Sequence, residues 1–81
     1  MTIVENPFIN DDRLYKMRNA GVNYCVVSPE SSTQLDFIGF RDRRRAFDEA
    51  VSTSKCSLWA FIIELTDFHV VAYLTGYCSD N

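Results

Sequence analysis

Leu58-Trp59-Ala60-Phe61-Ile62-Ile63-Glu64-Leu65-Thr66-Asp67-Phe68-His69-Val70-Val71-Ala72-Tyr73-Leu74-Thr75 is the stretch on which the fold turns. Apolar residues dominate it on both sides of a central Thr66-Asp67. Folded back there as a β-hairpin, it pairs Leu65 with Phe68, Ile63 with Val70, Phe61 with Ala72 and Trp59 with Leu74. All eight are apolar and share one face. The opposite face pairs Glu64 with His69, Ile62 with Val71, Ala60 with Tyr73 and Leu58 with Thr75. Partners agree in character at nearly every rung, which favours this register over a one-residue slip. The turn lacks Asn-Gly or Asp-Gly, which leaves a longer loop open.

Working outward, Arg41 to Ser54 changes period. Ala46, Phe47, Ala50 and Val51 fall on one face of a helix predicted over about Arg43–Ser52, with Asp42 as its N-cap. Before it, Val22–Ser28 and Gln34–Phe40 alternate as strands around Pro29 and a Ser/Thr turn, and form a first hairpin, Val22–Phe40. Val22, Tyr24 and Val26 are expected on one face, with Cys25 and Val27 on the other. Leu35 and Phe37 share a face with Gly39, and Ile38 and Phe40 lie opposite. Asn10, Asp11 and Asp12 offer an N-cap, and Gly21 a stop, for a short helix over about Asp11–Ala20. Ahead of it, Phe8 and Ile9 are candidates to fold back onto the core. The expected fold class is therefore α+β. An antiparallel sheet of about four strands carries a helix on one face, and residues 1–81 form one domain.

Composition narrows the function. The chain has 81 residues, 47% of them hydrophobic, enough for one core. Its net charge of −3 gives little of the nonspecific attraction that drives nucleic-acid binding. Cys25, Cys56 and Cys78 are odd in number and match no zinc spacing, even with His69. No metal and no cofactor is expected, and the thiols read as free cysteines of a reducing, cytoplasmic compartment. No apolar run is long enough for a membrane span, and Met1–Ile9 is neither signal peptide nor anchor. Phosphate loops, nucleophile elbows and Asp-x-Asp patterns are absent, so no enzyme is expected.

Three constellations stand out. Arg41, Arg43, Arg44 and Arg45 are four of the six arginines and sit at the start of a helix, where cations are mildly unfavourable. Read as a solvated face, Arg44 pairs with Asp48 and Arg45 with Glu49 at i+4 spacing. Read functionally, the guanidinium forks suit carboxylates or phosphates on a partner. Second, Glu64 and His69 oppose each other as a surface ion pair, with no nucleophile beside them to make a catalytic dyad. Third, Leu58, Ala60, Ile62, Val71 and Tyr73 form a hairpin face too apolar for water. One sheet face is covered by the Arg41–Ser54 helix. The other calls for the N-terminal helix, a second copy or a foreign partner.

In size, acidity and lack of catalytic motifs the chain resembles small accessory proteins of phages and mobile elements; the resemblance covers composition only. It implies a non-enzymatic module that binds and inhibits or modulates a larger host protein in the host cytoplasm, such as a defence-system or transcription component. Arg41, Arg43, Arg44, Arg45 and Tyr73 are the candidate contacts, since arginine and aromatic residues anchor most interfaces. The alternatives are a nucleic-acid or nucleotide binder using the same arginines, and a small homodimeric regulatory protein joined through the Leu58–Thr75 hairpin.

Overall fold

Asp11 opens the first helix, α1 (Asp12–Asn19). Its carboxylate accepts the Arg13 N–H at 2.9 Å, filling a backbone donor that the first turn leaves free. Gly21 closes it at φ 90°. The Gly21 N–H donates to Arg18 C=O and the Val22 N–H to Met17 C=O, both at 3.0 Å, the paired bonds of a Schellman end. The strands and second helix follow as β1 (Tyr24–Pro29), β2 (Leu35–Phe40), α2 (Arg43–Ser54), β3 (Trp59–Glu64) and β4 (His69–Thr75). This computed structural model describes residues 6–55 and 59–75.

The sheet is antiparallel throughout, in the order β2-β1-β3-β4. β2 and β3 both run against β1, so they share a direction, and α2 is the crossover between them. The expected α+β architecture, with two hairpins and two helices, is present. The first hairpin holds the expected faces from Tyr24 onward, with Val27 opposite Phe37 and Tyr24 opposite Phe40. Val22 departs from its expected face. It precedes β1 and packs with Met17 on the side of Cys25 and Val27, because its N–H is committed to the helix end. Gly39 makes room for that contact: a Cβ there would lie 2.8 Å from Val22 Cγ1.

The second hairpin corrects the expected register. Ile63–Val70 and Glu64–His69 pair as expected, but a bulge between Ile62 and Ile63 sets Ile62 against Ala72, Phe61 against Tyr73 and Ala60 against Leu74. Val71 is the extra residue on β4, so the β4 side chains beyond it change face while those of β3 keep theirs. The turn is a four-residue loop, Leu65 to Phe68, and Phe68 adopts φ 62°, an unusual angle for a bulky residue. Burial of the Phe68 ring, 6% exposed, and an Asn6 Nδ2 donation to its carbonyl at 2.7 Å hold it there.

α2 extends to Ser54, beyond the expected Ser52. The Thr53 hydroxyl donates to Glu49 and the buried Ser54 hydroxyl to Val51 C=O at 3.0 Å, so the cluster of hydroxyls stays within the helix. Its Ala46 and Ala50 pack with Val26, Ala60 and Ile62 on one side of the sheet. On the other side Leu14 of α1 joins Cys25, Val27, Ile63, Leu65 and Phe68. Phe8 completes that cover. Asn6 Oδ1 accepts the Phe8 N–H, and the ring stands 5.4 to 6.1 Å from those of Phe37, Trp59 and Phe61. Ile9 remains 42% exposed and does not fold back.

Candidate functional site: an arginine cluster at a helix start

Arg41 leaves β2 and its carbonyl accepts from Asn23 Nδ2 at 3.0 Å, which fixes the entry to α2. Arg43, Arg44 and Arg45 form the first turn, whose free N–H groups already carry partial positive charge. No acid lies in that turn, and the Asp42 side chain makes no capping bond. All four arginines are exposed. Arg43 lies over the Phe47 ring at 5.3 Å, and the Arg41 guanidinium comes near Gly21. The pairs Arg44–Asp48 and Arg45–Glu49 do not form; ion pairs join Arg13 to Asp11, and His69 to Glu64 and Asp67. Glu49 accepts from Thr53. The first turn therefore presents guanidinium groups without carboxylate partners among the described residues.

Tyr73 does not join this cluster. Because of the bulge it opposes Phe61, with ring centroids 4.6 Å apart, on the side of the sheet away from α2. The apolar face read from the sequence is also divided. Ala60 and Ile62 are fully buried beneath α2, and Val71 packs beside them. Tyr73 is turned to the opposite side, and Leu58 lies outside the described residues. No free apolar face remains at Ala60 and Ile62, because small alanines on both α2 and β3 let the helix lie on them.

His69 sits between two carboxylates at the hairpin loop. Its Nε2 is 3.5 Å from Glu64, and Nδ1 contacts Asp67. That hydrogen bond from His69 holds the Asp67 carboxyl below its ordinary value. The imidazole is half exposed. Asp67 was missed in the sequence because it lies in the turn, two residues before His69, not across from it. Among the described residues no group of three or more His, Cys, Asp or Glu is arranged to hold a metal ion. Burial pushes the Cys25 thiol up to about 12, so it is not an active nucleophile near neutral pH; Cys56 and Cys78 lie outside the described residues. An open depression of about 410 Å³ is lined by Arg13, Thr33, Gln34 and Leu35. Arg13 is already committed there, bonded to both Asp11 oxygens and lying 3.8 Å from the Phe37 ring centre. Among the described residues no helix is long and apolar enough to cross a membrane. Comparison with protein-family models, curated proteins and solved structures found no match.

Proposed function

We propose that this chain is a non-enzymatic interaction module that docks on an acidic surface of a larger protein through Arg41, Arg43, Arg44 and Arg45. The observation that carries the reading is that these groups have no carboxylate partner among the described residues. An arginine cluster kept for solubility alone would gain from Asp48, one turn on from Arg44, and it does not use it. Planar guanidinium groups beside free helix N–H donors favour bidentate carboxylate contacts. Small size and acidity supply the class: an accessory protein of phage or mobile-element type that inhibits or modulates a host protein.

The test is affinity capture from lysate with wild type and the Arg43→Glu/Arg44→Glu double variant, with circular dichroism to verify folding. Acids are favourable at a helix start, by about 0.3–1 kcal/mol each, so the variant should fold. The expected outcome is loss of the captured protein. Undiminished capture would reject the cluster as the contact surface. Nucleic acid recognised by the same arginines is the competing outcome, and it would show as a gel shift that fades steeply with salt. Tyr73 and the Phe8–Trp59–Phe61 rings lie on the far side of the sheet, which disfavours a stacking platform beside the arginines.

A further inference from the structure

The strand order leaves two edges, β2 and β4, and they are not equivalent. β2 carries Asp36 within it and runs directly into Arg41-Asp42. Charges of this kind discourage a further strand from pairing. β4 has seven residues, His69 to Thr75, and after His69 it holds no charge, proline or glycine. Among the described residues the bulge at Val71 is the one device that protects it, and it leaves Ala72 to Thr75 in regular register. In a strand paired on one side, alternate N–H and C=O groups point outward. On β4 these have no strand partner among the described residues. Tyr73 lies in the middle of this regular part and is 44% exposed, although its ring touches Phe61.

We propose that two copies of the chain pair antiparallel along the outer edges of β4, joining two four-stranded sheets into one. The occupant is a second copy because the strand complements itself. A twofold axis at Tyr73 sets Tyr73 against Tyr73 on the aromatic side. It sets Ala72 against Leu74 of the second copy on the α2 side, where both residues already pack. A neutral strand also lets two chains of net charge −3 meet without opposing charges at the seam. Four regular residues bury less than the roughly 800 Å² per partner of a standard interface, so the dimer depends on concentration.

Sedimentation of the wild type across a concentration series, under reducing conditions, should show a monomer–dimer equilibrium. Tyr73→Lys should weaken it roughly tenfold or more, by removing a ring pair and opposing two charges. Asp36→Asn on the other edge should leave it unchanged. In the wild type, hydrogen exchange should slow with concentration at β4 amides and not at β2 amides. A monomer at every concentration overturns the proposal. So does a dimer indifferent to Tyr73→Lys, or one protected at β2.

Discussion

On one side of the sheet a twelve-residue helix lies against alanines, Ala46 and Ala50 of its own and Ala60 beneath. On the other an eight-residue helix contributes one fully buried side chain, Leu14, and rings fill the remaining space: Phe8, Phe37, Trp59, Phe61 and Phe68. Small residues permit close backbone approach, so α2 needs few large side chains to exclude water. Where the helix is short, the area must come from aromatic side chains and from a lead-in pinned by Asn6. The same sheet is thus sealed once by backbone proximity and once by side-chain bulk. The two solutions should respond differently to mutation.

The largest expected effect is on the aromatic side. Leu14→Ala should cost about 2–5 kcal/mol, close to the whole stability of a domain this size, on the order of 5 kcal/mol. Urea unfolding would measure it; a loss below about 1 kcal/mol would mean that the rings seal this face without α1. The alanine side should fail in the opposite sense. Ala50→Leu adds apolar area yet should destabilise by about 1–3 kcal/mol, because the added carbons have no space beneath the helix. A neutral or stabilising result would contradict close approach of α2. The smallest effect concerns the hold on α1. Arg13 keeps the Asp11 carboxyl below its ordinary value of 3.8, chiefly by side-chain hydrogen bonding. Its contribution is therefore present above that value and is lost as pH falls through the lower folded value. Asp11→Asn keeps a capping oxygen and removes the charge. It should cost about 0.5 kcal/mol near neutral pH and flatten the acid limb of a melting-temperature profile.

Much of this architecture was legible because local chemistry marks it. Asp11 and Gly21 bound α1, Pro29 and the following Ser/Thr turn separate β1 from β2, and the 3.6-residue spacing of Ala46 and Ala50 identifies α2. The β4 bulge was not legible. Ile62 and Ile63, like Val70 and Val71, are apolar neighbours, so a slip of one residue leaves the hydrophobic pattern nearly unchanged. That hidden bulge separated Tyr73 from Ala60 and Ile62, and with them from the expected association face. The arginines were visible as a cluster. That they have no carboxylate partner among the described residues was not, since i+4 spacing permits an ion pair without requiring one.

The order β2-β1-β3-β4 also carries a kinetic consequence. Each hairpin closes between strands that are neighbours in the chain. The central seam joins Val27 to Phe61 and Tyr24 to Glu64, partners 34 and 40 positions apart. Loop-closure entropy falls mainly on that seam, and the sequence between its strands includes α2. The two hairpins can form early and independently, and the rate of reaching the native state is set by how often they meet along β1 and β3.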